Sequence, residues 1–310
     1  MNENAAWRSY GAEQADVLRA IRPDWALTTN GCSRLSGRTD TATVLEPLDF
    51  PSYDAYVGYH GSVDTYRAVF DFSRNIQQPP RAFWISETNS WKPVNTEAGH
   101  ERALRPWAYQ FLARGADAMV YFRWRQSVMG EENHPAVLDW SGRPGRTYER
   151  VRAIYHELRN LERALGDLPL PAGQVGIVFS SDTAAYAQLE RQRYLDHVVE
   201  ADAICNRLHV LPDIVRARDV AAGRARLVGY PLVILPGLEI ISDALAAALR
   251  QYATDGGVLW AQPRLATLDA HGTYHTQPMP AGLTDVFGLD VRERCNIRDV
   301  PRHAEVSFQT

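Results

Sequence analysis

The chain has 310 residues, a formal net charge of −4 and 45% hydrophobic residues. At about 150 residues per domain, this length predicts two domains with enough apolar residues for a core. The slightly acidic balance offers no basic surface for nucleic acid, and apolar runs such as Leu232–Leu235 are far shorter than the roughly 20 residues of a membrane span. We therefore expect neither nucleic acid nor a membrane as a partner.

The cysteines and the N-terminus narrow the class of protein further. Cys32, Cys205 and Cys295 stand singly, without the paired spacing of a zinc site or of a disulfide framework. The N-terminal MNENAAWRSYG lacks the basic start and the apolar core of a signal peptide. We expect a cytoplasmic protein with no metal and no cofactor.

Strands and helices alternate in the first half of the chain. Apolar residues recur at helical spacing in several segments, and runs of aromatic and β-branched residues lie between these segments. The predicted elements are a helix over 12–22, strands over 25–29 and 49–56, a helix over 63–76, a strand over 83–86, a helix over 97–115, a strand from 118 and a helix over 146–165. Four strand and helix pairs predict a parallel α/β arrangement, whereas a closed barrel requires eight.

One carboxylate stands directly after the apolar strand over 83–86. Burying Glu87 at such a strand end is costly unless the carboxylate is paired or used. Asn89, Trp91 and Asn95 follow it, and an indole face with nearby amides suits a sugar, because the indole stacks on the ring and the amides bind hydroxyls. The alternative is a structural glutamate that caps the next helix or pairs with an arginine.

A second polar segment follows the next strand. Residues 118–130 read AMVYFRWRQSVMG, and Glu132 and His134 come shortly after them. The chemical groups therefore stand at the carboxyl ends of two successive strands. In a parallel α/β barrel this is the end that carries the active site.

The second half of the chain predicts a separate α/β domain. Residues 168–174 (LPLPAGQ) have the composition of a linker. The elements beyond it are a strand over 175–179, a helix over 184–208, a strand over 232–235, a helix over 243–253 and a strand over 257–260. This alternation favours a doubly wound open sheet. Because the first strand is followed by no dinucleotide-type glycine motif, we favour a role in structure and assembly over ligand binding.

Five segments resemble a known family. FWISETNSWKPVN followed by YFRWRQSVMGEENH is similar to the seventh and eighth barrel segments of the glycoside hydrolase family 42 β-galactosidases. ALTTN and LDFPSYDAY are similar to that family's fifth and sixth strands, and the part from Gln174 resembles its trimer-forming domain. The resemblance implies an α/β fold in which residues 1–168 form strands 5–8 of a (β/α)8 TIM barrel. It further implies that residues 174–310 form a doubly wound, flavodoxin- or glutamine-amidotransferase-like domain that is incomplete at its C-terminus.

The resemblance also implies an activity and a set of site residues. The family hydrolyses terminal β-D-galactosides with retention, and Glu87 would be the nucleophile. The protein would have a galactoside substrate, no cofactor and a homotrimeric assembly. The side chains implied in substrate binding are Tyr56, Trp91, Asn95, Phe122, Arg123, Glu132 and His134.

Structural alternatives remain open for several of these residues. Arg123 and Arg125 could equally pair with carboxylates in the barrel core, although a guanidinium beside Glu87 would keep that carboxylate ionised. Tyr56 is equally plausible as a packed tyrosine at a strand end. We expect Asp54 to be a structural hydrogen-bond partner rather than a catalyst.

The chain departs from the family at one essential point. The family's general acid/base belongs to an Asn-Glu pair at the end of the fourth strand, and Asn2-Glu3 matches these letters without a preceding strand. Three hypotheses follow: an enzyme whose other half barrel lies upstream in the gene or in another chain, an inactive fragment, or a carbohydrate-binding or assembly protein. The sequence leaves open the aglycone, the linkage and the choice between galactoside and arabinopyranoside.

Overall fold

A computed structural model describes residues 3–31, 35, 39–57, 61–90, 103–189 and 193–292. It contains two parallel four-stranded sheets, each with helices, which we call the first and the second unit. The first unit comprises α1 (Glu3–Ile21), β1 (Asn30–Gly31), α2 (Thr41–Leu45), β2 (Ser52–Ala55), α3 (Val63–Ser73), β3 (Phe83–Asn89), α4 (Leu104–Ala113), β4 (Ala116–Phe122) and α5 (Tyr148–Leu165). The second comprises β5 (Val175–Phe179), α6 (Ser181–Leu189), α7 (Tyr194–Arg207), β6 (Pro212–Arg216), α8 (Ala217–Ala221), β7 (Leu232–Leu235), α9 (Asp243–Thr254), β8 (Val258–Ala261) and α10 (Thr284–Phe287).

The first sheet has the order β1-β2-β3-β4, so consecutive strands are neighbours. Its helix-facing side is aromatic: the ring of Phe70 on α3 lies 5.8 Å from that of Phe83 on β3 and 5.2 Å from that of Phe111 on α4. These contacts fix α3 and α4 against one face of the sheet. The polar side chains of β2 and β3 are thereby left to the other face.

The second sheet has the order β6-β5-β7-β8, again with parallel pairing throughout. All five residues of β5 are buried, as expected for a central strand covered on both faces. One expectation for this half was wrong, because the single helix predicted over 184–208 is two helices, α6 and α7. The strand β6 was not predicted. Within the described ranges, no helix is long and apolar enough to cross a membrane.

The strand expected over 25–29 is also shifted. The first sheet begins instead with the two residues of β1, which pair with Ser52 and Tyr53 of β2. Residues just before β1 are held by other bonds: the Asp49 carboxylate accepts from the Leu27 amide at 2.7 Å, and the Thr28 hydroxyl donates to the Phe50 carbonyl at 2.8 Å. The Asp49 amide also donates to the Leu27 carbonyl at 2.9 Å, so side-chain bonds and one backbone bond hold this segment in place of a regular ladder.

A buried ionic cluster joins the two units. Arg74, at the end of α3, is 1% exposed, and its Nε donates to Oδ1 of Asp213 on β6 at 3.0 Å. Asp71 accepts from both Arg74 and Arg114, and Arg114 also donates to the Asn206 side chain on α7. Because a buried charge without a partner is costly, these pairs tie the first unit to the second.

Candidate active site

A register shift in β3 sets the direction of Glu87. Tyr53 of β2 pairs with Ile85, but the next residue, Asp54, pairs with Glu87, so β3 contributes one extra residue. Regular alternation from the fully buried Ile85 would have turned Glu87 toward the helices. The bulge instead places Glu87 beside Asp54 on the opposite face. Glu87 lies two residues before the end of β3, not after the strand as predicted.

Two neutral side chains hold the Glu87 carboxylate. The Asn30 amide nitrogen donates to Oε1 at 3.1 Å, and the Tyr56 hydroxyl donates to Oε2 at 2.7 Å. Asn30 comes from β1 and Tyr56 follows the end of β2, so three neighbouring strands meet at this carboxylate. One donor on each oxygen restricts its rotation.

Burial and nearby negative charge raise the pKa values of two side chains around Glu87, Tyr56 and Asp54. Burial raises the pKa of the Tyr56 hydroxyl, and the hydrogen bond to Glu87 raises it further. The charges of Asp54 and Glu132 act in the same direction, so the hydroxyl remains a proton donor at neutral pH. Burial also raises the pKa of the Asp54 carboxyl, and repulsion by Glu87 adds to that effect.

The end of β4 carries a second group of predicted residues. The Arg123 guanidinium lies 4.4 Å from the centre of the Phe122 ring, and its Nη2 donates to Oε2 of Glu132 at 3.1 Å. His134 donates its backbone N–H to the Glu132 carbonyl at 2.8 Å. Because Glu132 contributes to the electrostatic field at Tyr56, the two groups share one environment.

Arg123 and Arg125 bond to partners other than Glu87. Arg123 bonds to Glu132 and to the Ser127 hydroxyl, and Arg125 donates to the Trp140 carbonyl at 2.8 Å. Within the described part of the chain, Glu87 accepts hydrogen bonds from Asn30 and Tyr56 and none from Arg123 or Arg125. The Asn30 amide and the Tyr56 hydroxyl therefore hold the Glu87 carboxylate without a guanidinium.

The structure brings Tyr56 and Glu87 into contact and groups Phe122, Arg123 and Glu132 nearby. Trp91 and Asn95 lie outside the described residues. Sequence reasoning missed Asn30, although an amide that ends a predicted strand was a usable signal. It did expect the hydrogen-bonding role of Asp54, which accepts from Asn30 and Ser86.

Profiles of known protein families match both halves of the chain. The profile described as beta-galactosidase (Glyco_hydro_42) matches residues 3–161. The profile described as beta-galactosidase trimerisation domain matches residues 173–309. The two matches therefore fall on the first and the second unit in turn.

Individual proteins show the same similarity. The beta-galactosidase Bga of Halorubrum lacusprofundi is 30% identical over 97% of this chain and 44% of its own length. A solved structure described as a polyextremophilic beta-galactosidase from that haloarchaeon superposes with a TM-score of 0.77 at 26% identity, over 90% of this chain and 43% of the other. A beta-galactosidase structure from Bacillus circulans gives 0.85 at 20% identity, over 97% and 44%, which supports the fold alone. The chain spans less than half the length of these relatives.

Proposed function

The chain belongs to the beta-galactosidase family Glyco_hydro_42, and from that premise we propose that it supplies the nucleophile-bearing half of a retaining glycoside hydrolase for terminal β-D-galactosides. The observation that carries the proposal is the Glu87 carboxylate, turned by a bulge onto the open face of the sheet. Its contacts with Asn30 and Tyr56 hold it in one orientation.

In the proposed reaction, Glu87 attacks the anomeric carbon as the bond to the leaving oxygen breaks. A covalent galactosyl-enzyme forms, and a carboxylic acid about 5 to 5.5 Å from the nucleophile gives its proton to the leaving oxygen. The same group then takes a proton from water, which attacks the anomeric carbon and releases Glu87. The Tyr56 hydroxyl, protonated at neutral pH, orients the attacking carboxylate.

Asp54 does not fit the role of that second carboxylic acid. It is the register partner of Glu87 on the neighbouring strand, so both carboxylates approach a substrate from the same side. A general acid must instead reach the leaving oxygen across the scissile bond. We therefore assign the acid/base to a residue outside the described site, supplied with the rest of the barrel.

Exposed apolar surface at both edges of the first sheet supports a half barrel made of strands 5–8. At one edge, α1 exposes Trp7, Tyr10 and Ile21. At the other, β4 and α5 line an open cleft of ≈ 1020 Å³. The residues of this cleft include Val120, Tyr121, Trp124, Tyr155 and Leu158. Apolar surface of this extent is typical of an interface, and further β/α pairs that link the two edges would cover both.

For the second unit we propose a role in assembly, as a flavodoxin- or amidotransferase-like domain. Its strand order equals the 2-1-3-4 part of the flavodoxin-like sheet when the strands are renumbered from β5. The trimerisation profile matches this unit, so we expect the complete protein to be a homotrimer. Light scattering on the complete gene product should give three times the chain mass, and a monomer at micromolar concentration would contradict the proposal.

Covalent trapping tests the proposed nucleophile. We define the completed enzyme as this chain together with the polypeptide that supplies the rest of its barrel. With 2-deoxy-2-fluoro-β-D-galactosyl fluoride, Glu87 should displace fluoride and retain the sugar as a stable ester, which peptide mass spectrometry would locate. Glu87→Gln should remain unlabelled. A label on another carboxylate would contradict the assignment.

The main alternative is a carbohydrate-binding or assembly protein that retains the architecture of the family. The observation behind it is that the chain covers 44% of Bga. Galactose binding measured by calorimetry, without turnover of an aryl β-galactoside in the completed enzyme, would favour this alternative.

A further inference from the structure

The Asn30 side chain bridges two carboxylates. Its amide nitrogen donates to Oδ1 of Asp54 at 2.9 Å and to Oε1 of Glu87 at 3.1 Å. A primary amide has two N–H groups, and both are used here. If Glu87 were the only acceptor, the amide could rotate and still donate one bond. The second bond, to Asp54, fixes the plane of the amide.

Asp54 is itself held in place. The Ser86 hydroxyl donates to the same Oδ1 at 3.1 Å, and Ser86 directly precedes Glu87 in the bulge of β3. Asp54, Asn30, Glu87 and Ser86 therefore form a closed ring across β1, β2 and β3. Loss of the Asp54 carboxylate would remove the acceptor of both the Asn30 amide and the Ser86 hydroxyl.

We propose that Asp54 is a positioning residue for Glu87. Asp54 acts through the Asn30 amide and through the negative charge of its own carboxylate. This inference rests on the proposed function. In the proposed reaction, Asp54 does not touch the substrate but sets the direction from which Glu87 attacks. A displacement of about 1 Å at a reacting group can reduce the rate about 100-fold.

Electrostatics give an independent sign of the coupling. The charge of Glu87 raises the pKa of the Asp54 carboxyl in addition to the effect of burial, whereas the hydrogen bonds from Asn30 and Ser86 lower it. Among the described residues, Tyr56, which remains protonated, donates to Glu87, and the charge of Glu132 acts on Tyr56. The Asp54 pKa is therefore a reporter of the whole ring.

The first test is a carbon-13 NMR titration of labelled aspartate carboxyls in the 310-residue chain. Glu87→Gln should lower the Asp54 pKa because it removes a repelling charge, and Asn30→Ala should raise it because it removes a donor. An Asp54 pKa that is unchanged in both variants would overturn the proposal. This readout needs no turnover, so it can succeed or fail independently of the proposed function.

The second test uses kinetics of the completed enzyme with an aryl β-galactoside. Asp54→Ala removes the acceptor of both the Asn30 amide and the Ser86 hydroxyl. It should lower kcat per folded molecule roughly 10- to 100-fold and leave KM nearly unchanged, because the substrate still binds while the nucleophile is misdirected. A purely structural aspartate would lower the folded fraction instead and leave kcat per folded molecule at the parent value. Asp24→Ala, at an exposed aspartate paired with Arg22, is the matched control. Parent kcat in folded Asp54→Ala would refute the role.

Discussion

Asp202 makes the stability of the protein depend on pH. It lies on α7, is 0% exposed, and its Oδ1 has no hydrogen-bond partner among the described residues, while Oδ2 accepts from Asn206 at 2.9 Å. Burial raises its pKa from 3.8 to about 6, although the charges of Arg114, Arg67 and Arg74 oppose the rise. The folded protein therefore binds a proton at Asp202 more tightly than the unfolded chain does.

The sign and the size of the effect follow from these two values. The contribution to stability is fully present below pH 3.8 and is lost as the pH rises through about 6. At roughly 1.36 kcal/mol per pKa unit, the whole shift corresponds to about 3 kcal/mol. Between pH 4.5 and pH 8, about 2 kcal/mol of this should disappear.

Asp202→Asn removes this titration. We expect the variant to gain about 2 kcal/mol relative to the parent between pH 4.5 and pH 8, since an amide has no charge to bury at either pH. Urea unfolding at both pH values measures this difference. All samples share one protein concentration, so that self-association enters the comparison equally.

The control is Asp196→Asn on the same helix, where the aspartate is exposed and paired with Arg193. It should change stability by less than about 0.5 kcal/mol and equally at both pH values. If Asp202→Asn and the parent keep a constant difference between pH 4.5 and pH 8, the reasoning from burial is wrong.

Three further predictions concern the proposed site and the edges of the sheet. Glu87→Gln in the completed enzyme should lose about 4 kcal/mol or more of transition-state stabilisation, which is several powers of ten in turnover. Azide should rescue Glu87→Ala with formation of α-galactosyl azide. A tenth of parental turnover in Glu87→Ala would contradict the assignment. Tyr56→Phe should lower kcat about 10- to 100-fold, because a hydrogen bond to a charged group contributes about 1.5–3 kcal/mol, and an unchanged kcat would exclude an orienting role. The 310-residue chain alone should self-associate in light scattering, because Trp7 and Trp124 are exposed at the two edges; a monomer with one sharp unfolding transition would count against the half barrel.

The uniformly apolar strand β5 was readable from the sequence, whereas β6, which carries charges at two of its five positions, was not. β5 is an apolar run and was found with its observed bounds. β6 was missed because Asp213 and Arg216 interrupt its pattern. Both residues are nonetheless buried, since Arg74 binds the first and Asp219 the second. Arg74 is 139 residues from Asp213 in the sequence, so this pairing leaves no local signal.

The candidate site shows the same division. Glu87 was recognisable because a carboxylate beside an apolar strand demands an explanation. Its direction was not predictable, because alternation from Ile85 points to the wrong face and only pairing with β2 reveals the bulge. The bridge through Asn30 depends on three strands whose register the sequence does not specify.

The ionic cluster around Arg74 gives the linker at 168–174 a different meaning. A Pro- and Gly-containing connection usually permits two domains to move independently. Here the Asp213 carboxylate accepts hydrogen bonds from Arg74 and from the Tyr230 hydroxyl. Bending at the linker would therefore have to separate buried charges from their partners. Leaving one such charge unpaired costs roughly 3–5 kcal/mol. The connection has the composition of a flexible linker, but the buried ionic cluster holds the two units in one relative orientation. In the proposed trimer, the orientation of the second unit would therefore fix the direction of the strand that carries Glu87.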